Sequence, residues 1–477
     1  MIALGNHGKA MNGRWYTSTP EQARGSNEAV SNSIGWGIIG AGDVVKRKTG
    51  PCLNAIPGSR IVALMRRSAD AAETVAKRFD VPVWTTDAGE VIHHPEVNAI
   101  YIATPPESHL EYALAACAAR KPCLVEKPVG RSDEECRQMV EAFRDADVAL
   151  FVSYYRRYLP RFLKVKEILD SGGLGSIVSI DYRLHKPPRE GDWSQTPRVA
   201  GAGQFYGLAC HMLDVFDFWF GPLELTGSAA VNAIPLHRAE DAVALSFRTE
   251  GGAIGNALWN FASTHAVDEL VIEGLGGRLS MAGLSQSAPV RVELSSSWAI
   301  RTSPSQKDRT RRQMKEALRI PFRQTYRFGK EAHAHRPMLE SVVQRLVEGA
   351  GGDGSAEAAL RTSEVMNRAL EAYYDGRSGA FWDHPERWHG VRAKVAKLAA
   401  ADHPEYVLSD EQLRAFEERG YIGPLKCEGD WQQMAIAIRK GRSLHLREPA
   451  VLEVCAHPSI SHRVAQLVGS ERIALFK

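Results

Sequence analysis

The sequence predicts two folded domains of different kinds: an α/β domain with a doubly wound parallel sheet, then an α+β domain. Three observations predict this. Between residues 34 and 152, short apolar runs alternate with stretches of helical periodicity. A glycine turn, Gly40-x-Gly42, follows the first apolar run. From residue 153 to about 380, strand-like runs follow one another with Gly-bearing turns between them.

In the first domain "IGWGIIGAGDVVKRK" begins at Ile34 and reads as a buried strand, a tight turn and a helix start. Gly40 and Gly42 permit the turn and let backbone N–H groups approach a pyrophosphate, which the helix N-terminus favours. Asp43 and Val44 enter that helix beside the expected phosphates, and the third fingerprint position, 45, holds Val45. "SRIVALM" is the second strand, and "SADAAETVAKRF" a helix with Ala72, Val75, Ala76 and Phe79 on one face. "VNAIYIATPP" is a strand stopped by Pro105 and Pro106. "HLEYALAACAAR" is a helix and "PCLVEKP" a further strand. Ligands of such sheets lie outside the carboxyl ends of the strands. Thr104, Pro105, His109, Glu126 and Lys127 fall near those ends. An NAD-preferring site has an acid after the second strand; this chain has Arg66, Arg67 and Ser68. Guanidinium forks suit a 2′-phosphate, so NADP is expected, with NAD possible. The competing reading is two solvated surface arginines.

The remaining composition mostly excludes. Lys and Arg number 59 against 56 Asp and Glu, a formal charge of +3, which argues against a nucleic-acid partner. Seven cysteines in 477 residues make no disulfide framework, and a reducing, cytoplasmic setting is expected. No apolar run reaches the roughly eighteen residues of a membrane span. Residues 1–33 are rich in Gly, Ser, Asn and Thr and read as a disordered extension, not a secretory signal.

In the second domain "SIVSIDYRLH", "AVALSFRT", "GAIGNALWNF", "DELVIEGLGGRLSM" and "PVRVELSSSW" are the expected strands. "FYGLACHMLD", Phe205–Asp214, reads as an amphipathic helix start that carries His211, with Gly207 one turn earlier.

Taken in order, "GIIGAG", "YIATPPESH", "VEKPVG", "YYRRYLPRF", "GAGQFYGLACHMLD" and "HRPMLESVVQRL" resemble the Gfo/Idh/MocA oxidoreductases, from about Ile34 to about Tyr374. The resemblance implies a Rossmann domain plus an α+β domain with a large open, mainly antiparallel sheet, often used to pair subunits into a homo-oligomer. It implies hydride transfer between nicotinamide and a secondary alcohol or ketone of a small sugar- or polyol-like substrate. Lys127 would hold and polarise the substrate oxygen. Glu126 would contact the nicotinamide ribose or Lys127, and the bond before Pro128 would be cis. Arg156 or Arg157 would help close the cofactor site, unless both are simply a charged helix start. The family commonly has Asp and His at the positions of Gly207 and His211, the carboxylate orienting the imidazole for proton transfer. With Gly207, three readings stand: Lys127 and His211 suffice, a substrate group fills the space, or the protein is a catalytically silent nicotinamide-binding scaffold or sensor.

Residues 381–477 form a further, mostly helical appendage in this reading. "LSDEQLRAFEERGYIGP" has Ser409 as N-cap, Gln412 three residues on and Gly420 past the end. With "HPSISHRVAQLVGSERIALFK" it resembles the start of phytanoyl-CoA dioxygenase-like proteins. The iron-binding pair of those proteins would fall beyond residue 477. The piece is then a metal-free docking appendage or the front of a bifunctional fusion, and no metal site is expected. Residues 301–336 hold eleven Lys and Arg against three acids and read as a solvated insertion.

Overall fold

The computed structural model describes residues 33–188, 195–233, 239–295, 322–374, 376–377, 379–384 and 409. The N-terminal extension, nearly all of the C-terminal appendage with its dioxygenase-like stretches, and most of the basic insertion lie outside the described residues.

The first sheet has six parallel strands: β1 Ile34–Ile39, β2 Ser59–Met65, β3 Val83–Thr85, β4 Ala99–Ile102, β5 Cys123–Val125 and β6 Leu150–Val152. Their order is β3-β2-β1-β4-β5-β6, so the winding reverses between β1 and β4, where a crevice opens at the carboxyl ends. β1 and β4 are buried along their whole length, as their unbroken apolar runs require. β3 and β6 have only three residues each, too short to stand out as apolar runs in the sequence.

Local chemistry fixes the helices around this sheet. Helix α1, Ala69–Phe79, starts at Ser68, whose hydroxyl accepts the Ala71 N–H. α2 spans Ala88–Ile92 and α3 His109–Ala118. α4, Asp133–Asp145, is capped by Ser132 and carries Asp133, Glu134 and Glu135 in its first turn, where the helix dipole favours them. After the glycine turn the chain takes one wide π turn, Val45–Thr49, with Val45 fully buried in the place of the third glycine.

The second sheet has eight strands: β7 Ile177–His185, β8 Leu223–Val231, β9 Ala242–Thr249, β10 Ile254–Asn260, β11 Val267–Gly274, β12 Gly277–Met281, β13 Val290–Leu294 and β14 Phe322–Tyr326. The order is β14-β13-β12-β11-β7-β10-β9-β8, antiparallel except for the pair β7 and β10. Along β9 the buried Val243, Leu245 and Phe247 alternate with Ala244, Ser246 and Arg248 on the other face. That other face is open: Asp181, Arg183, Ser246, Asn256, Glu269, Glu273 and others line a shallow cavity of about 760 Å3 on it.

α5 spans Pro160–Asp170, α6 Gln204–Phe220, α7 Arg336–Val347 and α8 Ser355–Tyr374. α6 is buried nearly all round, which corrects the amphipathic expectation. α8 packs on α6 and β8 of the second domain and on α4 and β6 of the first, so it ties the two together. Its Ser355 hydroxyl accepts the Val152 N–H at 2.9 Å. Among the described residues no helix is long and apolar enough to cross a membrane.

Candidate active site

A cleft of about 660 Å3 lies at the carboxyl ends of the first sheet, lined by Gly40, Gly42, Met65, Arg66, Arg67, Ser68, Thr104, Pro105, Arg131 and Arg198 among others. Gly40 has φ +89°, and a Cβ there would meet the Thr104 backbone nitrogen at 2.7 Å, so the turn demands glycine. At Gly42 a Cβ would meet nothing nearer than the Gly40 carbonyl oxygen at 3.8 Å, which leaves the turn open toward the cleft. These residues fit a dinucleotide: a bare turn for a pyrophosphate, and Arg66 and Arg67 after the second strand among the lining residues. Arg131, in the loop after the fifth strand, and Arg198, in a four-residue helix Pro197–Ala200, lie far from the second strand in sequence, and sequence reasoning missed them. Arg131 follows "EKPVG" directly and holds Glu135 with Nη2 at 2.6 Å.

Several expected cofactor residues have other duties. His109 is fully buried, with Nδ1 3.2 Å from the Val129 carbonyl oxygen and Nε2 2.8 Å from that of Thr104. It pins the β4 loop to the β5 loop and offers the cleft no free atom. Asp43 is exposed and paired with Lys46 at 2.6 Å, and Val44 is half-buried against the core. Glu126 is buried: its Oε1 accepts from Tyr101 Oη at 2.7 Å and Ser153 Oγ at 2.9 Å, and its Oε2 from the Lys127 N–H at 3.2 Å. Glu126 therefore braces the end of β5 and the backbone of Lys127. Ser68 lines the cleft while its hydroxyl caps α1.

Lys127 precedes a cis peptide to Pro128 and crosses to the second domain, where its Nζ donates to the Gly207 carbonyl oxygen at 3.0 Å. One turn along α6 lies His211, buried at 5% exposure, with no protein partner for Nδ1. A core histidine with satisfied nitrogens would not look like this. Among the described residues a Cβ on Gly207 would meet nothing within 4 Å, so no described neighbour requires glycine there. Asp214, three residues on, is engaged elsewhere: both its oxygens take Arg157 Nε, at 2.8 and 2.9 Å.

Arg156 lies away from the cofactor cleft, contrary to expectation. It is buried, donates Nη1 to Tyr155 Oη and Nη2 to the Leu284 carbonyl at 3.1 Å, and leaves Nε without a partner. The Tyr155 ring meets His211 edge-on at 5.6 Å between centroids and stacks on His335 at 4.0 Å. His335 is the cap residue of α7, and sequence reasoning missed it although it opens the motif "HRPMLE". Its Nδ1 is also buried and unpartnered. Burial, then the charges of Lys127 and Arg156, His335 and Lys48, hold the His211 imidazole well below its usual proton affinity. Burial chiefly lowers His335 to about 4, with Glu126 opposing and Lys48, Arg156 and Lys127 assisting. Both rings are neutral at pH 7.

Comparisons with known proteins bear on the two domains and their family. The family described as "Oxidoreductase family, NAD-binding Rossmann fold" matches residues 34–154, and the GFO/IDH/MocA C-terminal domain matches residues 162–280. Oxidoreductase P35 of Formosa agariphila is 30% identical over 347 residues, 71% of this chain and 98% of that protein. The 1,5-anhydro-D-fructose reductase of Ensifer adhaerens is 26% identical over 54% of this chain and 78% of its own length. Among solved structures, KijD10, a 3-ketoreductase from Actinomadura kijaniata in complex with NADP and TDP-benzene, superposes with a TM-score of 0.58 at 20% identity, covering 70% of this chain and 96% of that one. The chain belongs to the Gfo/Idh/MocA family of oxidoreductases.

Proposed function

We propose that the protein is an NADP-dependent oxidoreductase acting on a secondary alcohol or ketone of a sugar, cyclitol or related polyol. The observation that carries this is the meeting of Lys127 and His211. An ammonium at the end of β5 reaches α6 one turn from a histidine with a free ring nitrogen. A nicotinamide dinucleotide bound in the cleft supplies the hydride acceptor or donor. Gly40 and Gly42 make room for its pyrophosphate, and Arg66 and Arg67 favour a 2′-phosphate. Lys127 orients the substrate oxygen and stabilises negative charge on it. His211, neutral at pH 7, accepts the hydroxyl proton in oxidation and returns it in reduction. The small sugar-like ligands named for relatives suit this reading. The open face of the second sheet suits pairing into a homo-oligomer, which light scattering of the purified chain would test.

Titration with NADPH and NADH, followed by nicotinamide fluorescence, tests the cofactor; NADPH should bind about ten-fold or more tightly than NADH. If neither binds at millimolar concentration, the enzymatic reading fails. Gly207 favours one competing reading, the silent scaffold or sensor. Turnover on a polyol and ketone panel that Lys127→Ala abolishes would reject it.

A further inference from the structure

The groups around His211 share a property that a neutral polyol does not explain. Lys127, Arg156 and Lys48 all lie near enough to both histidines to depress their proton affinity. The carboxylates near this group are Glu126, whose oxygens take Tyr101, Ser153 and the Lys127 N–H, and Asp268, whose oxygens take the Leu284 and Ser285 N–H groups. Three cations thus stand near two anions that are both committed to other donors. Arg156 is the most telling of them: it is 6% exposed, touches no carboxylate, and bonds only a phenol and a backbone carbonyl. A buried guanidinium without an acidic partner is costly, and a ligand carboxylate would offset that cost. Three buried nitrogens of this cluster have no partner among the described residues: Arg156 Nε, His211 Nδ1 and His335 Nδ1. Open space begins at Gly207, beside the Lys127 ammonium.

We propose that the substrate is an acidic sugar, a uronic or aldonic acid, whose carboxylate is held in the Arg156, Lys127 and Lys48 cluster beside Gly207. The inference rests on the oxidoreductase reading and sharpens its substrate class. A carboxylate fits better than a phosphate. Arg156 spends two of its five N–H donors on the protein, and the space left at Gly207, where a side-chain carboxylate would otherwise stand, matches a carboxylate in size. A side-chain carboxylate at position 207 would compete for the same cations, and glycine there keeps them free.

The test uses the full chain with saturating NADP+ or NADPH and matched ligands. D-glucuronate and D-galacturonate are set against D-glucose and D-galactose, D-gluconate against D-glucitol, with D-glucose 6-phosphate as the phosphate arm. Turnover and calorimetric binding are both read. At least one acid should exceed its neutral parent in kcat/KM or affinity by roughly 10- to 100-fold, the range of one charge-assisted contact. Arg156→Gln should shrink that ratio about ten-fold while the cofactor Kd holds. Lys48→Gln, at an exposed residue that poses no folding risk, should shrink it several-fold. The proposal is overturned if every acid fails to bind and react, if neutral parents match their acids, if the phosphate arm wins, or if both variants lower acid and neutral ligands alike. Turnover of neutral polyols alone would remove this inference and leave the oxidoreductase standing. Loss of cofactor binding in the wild-type protein would remove both.

Discussion

Arg156 and Arg157 are neighbours on one short turn, and both are turned into the protein; they meet opposite surroundings. Arg157 donates to both oxygens of Asp214, and its Nη2 reaches Asp217 at 3.4 Å, which Arg361 clamps in turn with two bonds of 2.7 and 2.8 Å. Arg156 has no carboxylate. The same contrast divides α6. Its second half, with Asp214 and Asp217, is anchored by complete ion pairs. Its first half, with Gly207 and His211, carries open space and an unpartnered nitrogen. The difference teaches that buried charge here serves two ends. Where the protein supplies both partners, the pair fixes the helix; at Arg156, bonded to a phenol and a backbone carbonyl, donors remain for the anion proposed above.

The largest effect should come from breaking the complete side. Arg157→Ala leaves Asp214, 1% exposed, as an uncompensated buried carboxylate, at a cost of about 3–5 kcal/mol. Arg156→Ala should cost under about 1.5 kcal/mol, the scale of its two hydrogen bonds after relief of cation repulsion. Urea unfolding of both variants checks this. Equal losses would erase the distinction between the two arginines.

Next comes the open side. Lys127→Ala should lower kcat by about 100- to 1000-fold, the scale of removing one donor to a developing oxyanion. The NADP(H) Kd should change little, because Lys127 points to α6 rather than into the cofactor cleft. A fall in cofactor affinity of the same size as the fall in kcat would move Lys127 from chemistry to cofactor binding.

The two sides should also answer pH with opposite signs. His335, at about 4, and His211 lie below the ordinary 6.5. Between pH 6.5 and 4 the unfolded chain takes up protons that the folded chain refuses, so stability falls as pH drops. Asp214 is raised to about 7 by burial, against the opposing charge of Arg157. Its share runs the other way, full below about pH 4 and lost as pH rises through about 7. His335→Asn should reduce the acid loss between 6.5 and 4 and leave the loss toward pH 7 in place. Unfolding midpoints across that range measure both limbs. An unchanged acid limb would mean that burial and the nearby cations do not hold His335 neutral.

Much of the fold was legible because it rests on local signals. The buried run "WGII", the turn at Gly40 and the alternation in "AVALSFRT" state their own surroundings. Lys127 and His211, proposed from motif and order, come within about one helical turn of each other through the Lys127 bond to Gly207. What was not legible depends on distant pairing. Nothing near Arg157 announces that Asp214 and Asp217 will meet it, 57 and 60 residues on, while Arg156 meets neither. His335 reaches the Tyr155 ring only because α7 docks on the short turn that follows β6. Short β3 and β6 and the parallel pairing of β7 with β10 likewise follow from tertiary register rather than composition. His109 misled for the same reason, since a polar residue at a strand's carboxyl end can face inward onto carbonyls as readily as outward onto a ligand.

The smallest effect separates packing from function at one residue. Gly207 is interior to α6, where glycine costs roughly 0.5–1 kcal/mol against alanine. An added methyl would meet nothing within 4 Å, so no clash offsets the gain. Gly207→Ala should therefore raise stability by about 0.5–1 kcal/mol. If glycine were there for close packing, the same change would destabilise. The methyl would, however, occupy the space beside the Lys127 ammonium and one turn from His211. KM for the substrate should rise several-fold while the cofactor Kd stays the same. A gain in stability joined to a loss in substrate affinity would identify Gly207 as a place kept empty for a ligand, at a stability the helix could otherwise have had.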